Sequence, residues 1–341
     1  MAKTVDNTAA EQQTDLKKKL LNPANLQQFL AFGALIILLI FFSFASPYFL
    51  TFDNVVSIML STCVNGILAL GILFVIVTGG IDLSIGTVMT FSSVMAGVTI
   101  TNAGLPMWLG IIVGILTGTF CGFISGSLVS RLKLQPFIAT LGTMMVTKGL
   151  SLVLSGTKPI YFSDTPSFRQ ITVGSFLKLG ENGRYSLPNG VFILIFMAII
   201  AGIVLNKTKL GRYTFAIGSN EEATRLSGVN VTKWKTAIYA LNGAFVGVAG
   251  IVMAARLDSA QPALGAGYEM DAIASVVIGG TSMAGGEGTV LGTVIGAFII
   301  STLTNGLKVM GVAQEWQIVI TGCVLVLAVL LDKMRKKGNK N

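Results

Sequence analysis

Long apolar runs, broken by short polar or glycine-rich stretches, make up most of this chain. Most of the runs have the roughly 17–25 residues that a helix needs to cross a bilayer. The pattern predicts about ten membrane helices, near residues 27–46, 54–78, 86–102, 107–130, 136–155, 190–206, 236–256, 268–279, 289–308 and 316–332. The third begins after a glycine break at Gly79 and Gly80, and the eighth is the shortest. The expected fold is an all-α polytopic membrane protein. A transmembrane domain covers 27–332, between a polar tail (1–26) and a basic tail (333–341).

One polar stretch, Asn206 to Lys235, interrupts the apolar pattern. It must leave the membrane, because lipid cannot satisfy its backbone and charges. Its centre, Ser219 to Leu226, predicts a short helix. Ser219 or Asn220 can cap it, Glu221 and Glu222 suit the positive end of its dipole, and Gly228 can end it. The stretch reads either as a solvated connection or as a protruding grip for a partner. A second polar segment, 157–188, carries Pro159, Pro166, Gly174 and Gly180 and has room for a short hairpin or an interfacial helix.

A weak internal repeat is visible. Val75–Met89 (VIVTGGIDLSIGTVM) is echoed by Ser275–Leu291 (SVVIGGTSMAGGEGTVL). Each sets an apolar run before Gly-Gly, then a small polar break, then a new apolar run. Glycine-rich membrane segments also resemble one another by chance. Two halves with broken helices at matching places are nevertheless a common transporter design.

Composition narrows the class. Of 341 residues, 52% are hydrophobic and only 11% are charged, against about 25% charged in soluble domains. The net charge of +9 does not mark a nucleic-acid binder, because the cations gather in a few loops and tails. Their bias orients the helices. Lys3, Lys17–Lys19, Arg131, Lys133, Lys207–Lys235 and Lys333–Lys340 fall on one side, taken as cytoplasmic with both termini. Lys158, Arg169, Lys178, Arg184, Arg256 and Lys308 fall on the other, several offset by Asp164, Glu181 and Asp258.

The chain has no histidine, which removes histidine acid–base chemistry, histidine metal ligands and Ser-His or Cys-His pairs. Cys63, Cys121 and Cys323 lie in separate apolar runs and read as buried packing residues. The 40 glycines include Gly110, Gly114, Gly118, Gly122 and Gly126, one stripe along a single helix. Gly288, Gly292 and Gly296 repeat the spacing, and Gly243 with Gly247 begin it. Such stripes bring membrane helices into close contact, and those contacts could also slide between transport states.

Asp82 and Asp271 are the acids set most deeply in apolar sequence. Ionised groups at that depth are expensive and face a cavity or a partner. Either could touch a polar substrate, or pair with Lys148 or Arg256. Asn65, Ser84 and Asn305 complete the pathway candidates. No G-x-x-x-x-G-K-[ST] phosphate loop is present, so ATP hydrolysis, if it drives this protein, belongs to another chain.

At these residues a family resemblance becomes visible. Gly218–Val231 (GSNEEATRLSGVNV), the long block Ala255–Thr293, Thr78–Gly86 (TGGIDLSIG) and Gln135–Met144 (QPFIATLGTM) resemble permease subunits of bacterial ATP-binding-cassette sugar importers, ribose-type branch. The likeness runs from about residue 45 to the C-terminus. It implies two permease copies forming one pathway in the inner membrane, cytoplasmic ATPase subunits that hold ATP and Mg, and an external sugar-binding protein. No cofactor on this chain and no nucleic acid are implied. It also implies that Glu221, Glu222, Ala223, Arg225, Leu226, Ser227 and Gly228 form the coupling helix that docks on the ATPase. It assigns no sugar contacts. The competing reading is a secondary transporter driven by protons or sodium through Asp82 or Asp271. A membrane enzyme is disfavoured by the absence of any nucleophile pattern.

Overall fold

In a computed structural model, residues 23–179 and 185–338 are described. The N-terminal tail with Lys3 and Lys17–Lys19, the charges Glu181 and Arg184, and the last three residues lie outside them.

The apolar runs form helices α1 (Pro23–Ala45), α2 (Phe52–Val77), α3 (Ile85–Gly97), α4 (Met107–Ser130) and α5 (Pro136–Ser155). A π-helical turn, Val98–Asn102, extends α3. The segment expected to hold a hairpin or a helix holds both. Strand β1 (Ile160–Tyr161) and helix α6 (Pro166–Gln170) precede a hairpin of β2 (Leu177–Leu179) and β3 (Tyr185–Leu187). Next come α7 (Asn189–Lys207), α8 (Lys209–Ser219), α9 (Glu221–Leu226) and α10 (Val231–Leu257). Strand β4 (Ser259–Ala260) then pairs antiparallel with β1, and α11 (Tyr268–Ile278), α12 (Val290–Val309) and α13 (Gln314–Gly338) complete the chain.

Among the described residues seven helices (α1, α2, α4, α5, α7, α10 and α12) are long and apolar enough to cross a membrane, and α13 is apolar over Gln314–Leu330. Helix α3 reaches crossing length with its π turn. Helix α11 has 11 residues and a rise of about 16 Å, half of a bilayer core of about 30 Å. The chain is thus an all-α, multi-pass membrane protein containing a half-length helix.

Helix α2 is the centre. Its apolar window is 89% buried, against 11% for α1 at the rim. From Thr62 to Val77 every residue of α2 is buried, because α10, α11, α12 and α7 surround it. A helix apolar on all sides has no polar face to offer and takes the interior position. Around it, α4 lies along α10 with almost no side chains between them. A Cβ on Gly118 would collide with the Gly243 carbonyl oxygen, and one on Gly122 with that of Tyr239. Gly243 answers against Gly118, and Gly247 against Ile115. The predicted stripe is therefore a backbone-to-backbone seam, where dispersion contacts are closest.

Two expectations are corrected. Cys63 and Cys121 are buried, but Cys323 is exposed on α13, since that helix sits at the rim with one face unpacked. The polar stretch after α7 is mostly helical. Helix α8 fills its first part, and α10 begins at Val231, so Lys233 and Lys235 lie on a helix.

Candidate functional site

Helices α8 and α9 and the start of α10 form a knob at one end of the bundle. Its local chemistry is that of helix caps. The Thr208 hydroxyl accepts from Gly211 N at 3.4 Å at the start of α8. Asn220 ends α8 and caps α9, its Oδ1 accepting from Ala223 N at 2.9 Å. Asn230 caps α10 by accepting from Lys233 N at 2.9 Å. Between α9 and α10 the chain reverses at Gly228, where φ is +82°, a region that a Cβ disfavours.

The knob residues divide into two groups. Glu221 turns inward, bonded to Arg225 at 3.2 Å and to Lys235 at 2.6 Å, so it fastens α9 to α10. Thr224 is buried beneath the helix and donates to Asn220 O. Glu222, Ala223, Arg225, Leu226, Ser227 and Gly228 point outward, and Leu226 is 84% exposed. An isolated leucine so exposed on a charged knob is an unfilled contact.

Behind the knob, α8 ends on bare backbone. A Cβ on Gly218 would collide with the Val77 carbonyl oxygen and lie 2.6 Å from Gly286 N. That same Val77 oxygen accepts from Gly286 N at 2.9 Å. Gly285, with φ +84°, fits under Gly218 and Gly79. The two glycine-rich breaks of the sequence repeat, 78–84 and 279–289, therefore touch each other, and the knob's base rests on both. Sequence reasoning did not single out Gly218 for this close contact; its signal was a glycine two residues before the cap Asn220.

The first break then turns back into the bundle. Asp82 is 2% exposed. Its Oδ1 accepts from Ser84 N at 2.9 Å and Ser84 Oγ at 2.6 Å, and its Oδ2 accepts from Asn242 Nδ2 at 2.8 Å. Tyr239 adds a hydrogen bond to Ile81 O at 3.4 Å. This latch ties the break to α10 and caps the start of α3. Of the expected pathway group, Asp82 and Ser84 are joined. Asp271 lies in the first turn of α11. Asn65 on α2 and Asn305 on α12 each bury an Oδ1 without a partner among the described residues. Neither acid pairs with Lys148 or Arg256: among the described residues the ion pairs are those of Glu221, and Arg256 donates to Ser61 Oγ at 3.0 Å.

Removing the latch carboxylate has a calculable cost. Asp82→Ala strands three buried donors, at about 1–3 kcal/mol for each unsatisfied group. The expected result is a clearly lower melting temperature in detergent. Asp82→Asn keeps one acceptor for Ser84 and should recover part of it. A wild-type melting temperature for the alanine variant would remove the latch from the stabilising contacts.

Comparison with known proteins places this arrangement. A family model described as "Branched-chain amino acid transport system / permease component" matches residues 54–329. The chain is 41% identical to the ribose import permease protein RbsC of Haemophilus influenzae over 304 residues, covering 89% of this chain and 92% of that one. It is 40% identical to RbsC of Bacillus subtilis, with 91% and 94% coverage, and 34% identical to the L-arabinose transport system permease protein AraH of Escherichia coli, with 86% and 87%. No solved structure matches. With the family model matching residues 54–329 and about 40% identity over roughly nine tenths of the chain, the chain belongs to the family of transport-system permease components that includes the ribose import permeases.

Proposed function

We propose that this chain is the permease subunit of an ATP-driven importer that carries a monosaccharide, ribose or a related sugar, across the bacterial inner membrane. Two copies form the pathway, an external binding protein delivers the sugar, and cytoplasmic ATPase subunits hold ATP and Mg. The relatives support the sugar class, since their names give ribose, arabinose and fructose. The Lys and Arg bias supports a cytoplasmic knob and cytoplasmic termini. Affinity of the partner binding protein for each sugar would name the substrate.

The observation that carries the reading is the knob. Helix α9 is short, charged and capped at its start, with Leu226 and Glu222 outward, and the end of α8 that leads into it rests on both breaks of the membrane domain. A partner gripping α9 can therefore move the breaks as one body. The ion-coupled alternative through Asp82 is weakened, because both Asp82 oxygens are already occupied by protein donors.

Glu222→Lys tests the grip. Charge reversal at a docking face substitutes repulsion for attraction, a change of several kcal/mol. Co-purification of the ATPase and sugar uptake in vesicles should both fall by about tenfold or more, as about 1.4 kcal/mol already gives. Membrane insertion should persist, since Glu222 is exposed and makes no ion pair among the described residues. Gly228→Val should act the same way through the turn. Normal ATPase binding and normal uptake in both variants would return the stretch to an ordinary connection.

A further inference from the structure

The stretch between β4 and α11 also re-enters the bundle. After β4 the chain runs back to Gly265, whose backbone meets that of Gly86 in the first turn of α3. A Cβ on either glycine would collide with the other's carbonyl oxygen. Helix α11 starts just beyond, at Tyr268. Helix lengths give the depth. Asn242, which holds Asp82, is the twelfth of the 27 residues of α10, and Lys148 is the thirteenth of the 20 residues of α5, so both lie near the middle of their helices. The first turns of α3 and α11 therefore meet near the membrane midplane.

A cavity of about 90 Å³ lies at this meeting point, lined by Thr87, Thr90, Met144, Lys148, Gly265 and Glu269. Lys148 can only donate and an ionised Glu269 can only accept. They line one cavity, yet form no ion pair within 4.0 Å among the described residues. Glu269 Oε1 accepts from Gly267 N at 3.1 Å, while Oε2 is buried with no partner. Lys148 is itself exposed, so the cavity sets a buried, unfilled acceptor and an accessible donor on one lining, a pairing that suits a polar visitor.

We propose that this cavity is a midplane sugar contact. Lys148 donates to one hydroxyl of a passing polyol and Glu269 Oε2 accepts from another, while Met144 and Gly265 flank the carbon skeleton. Sugar hydroxyls both donate and accept, so one molecule satisfies both walls. The cavity equals the volume share of about three waters and is smaller than a monosaccharide. The contact is therefore made in transit, at one edge of the sugar. This inference rests on the importer reading above.

The test uses the assembled importer in vesicles, with ribose as the probe and its relatives' sugars beside it. Failure of the wild-type assembly to import any of them would defeat the importer reading itself. Given wild-type import, Lys148→Met and Glu269→Gln should each reduce maximal uptake by about tenfold or more, the worth of a hydrogen bond to a charged group. The double variant decides the role. If the two residues merely neutralise one another, removing both restores uptake, and the proposal fails. If they contact sugar, the double variant is at least as impaired as either single one. Wild-type uptake in either single variant also overturns the proposal. Lys148→Arg guards against misfolding, since it keeps the charge but lengthens the arm into the cavity. It should melt as wild type and lose uptake, and wild-type uptake by this variant would likewise overturn the contact.

Discussion

Gly122→Leu is expected to prevent the chain from accumulating as a folded protein. The new Cβ would collide with the Tyr239 carbonyl oxygen and lie 3.0 Å from Gly243 Cα, and the rest of the side chain has nowhere to go. Overpacking of ordinary cores costs about 1–3 kcal/mol because side chains can shift. Here both obstacles are backbone of a neighbouring helix, so α4 and α10 must separate along the seam. The expected loss is larger than that range, seen as low yield and a broad profile in size-exclusion chromatography. Gly202→Leu is the control, since a Cβ there meets nothing within 4 Å. A Gly122→Leu protein with wild-type yield and melting temperature would remove the seam from the contacts that hold the bundle.

Gly218→Val should be the most damaging change for transport among variants that still insert. A side chain at Gly218 must push aside the Val77 carbonyl oxygen and Gly286 N, and so open the 2.9 Å bond between them. The knob then loses its seat on both breaks at once. Sugar uptake should fall by about a hundredfold, the equivalent of about 2.8 kcal/mol. Co-purification with the ATPase should survive, because the outward face of α9 is untouched. That combination distinguishes Gly218 from Glu222, where binding itself is expected to weaken. Uptake near wild type would mean that the knob's base transmits nothing.

Much of this architecture was legible in the sequence. Apolar run length fixes where helices lie in a bilayer, so α1, α2, α4, α5, α7, α10 and α12 were readable as spans. The Asn220 cap and the Gly228 turn were readable because capping chemistry is local. Helix α8 was overlooked, although Leu210, Tyr213, Thr214 and Ile217 recur at i, i+3, i+4 and i+7. Lysines, arginines and glycines among them conceal the stripe, whose packing is visible only against its neighbours, as with half-buried Tyr213 and Trp234 at 4.8 Å. The role of Asp82 was hidden for another reason. Its partner Asn242 is 160 residues away, and no spacing rule joins residues so far apart. Lys148 and Glu269 were overlooked as a pair for the same cause. Each is an ordinary charge in sequence, and only the folded chain sets Lys148 of α5 and Glu269 of α11 on one cavity.

Helix α1 carries a consequence for the order in which the molecule is made. It is hardly embedded, and its Phe42 ring closes over Gly306 on α12. That glycine is about 260 residues downstream, and synthesis at about 5–20 residues per second needs between about 13 and 52 seconds to reach it. For that interval the first helix stands in lipid with no docking site yet in existence. Its residues therefore answer to two successive environments, lipid alone and then lipid on most sides with α12 on one. A largely apolar surface serves both, and the small notch at Gly306 receives the Phe42 ring when the late helix arrives, beside a hydrogen bond from Gln28 to Thr289.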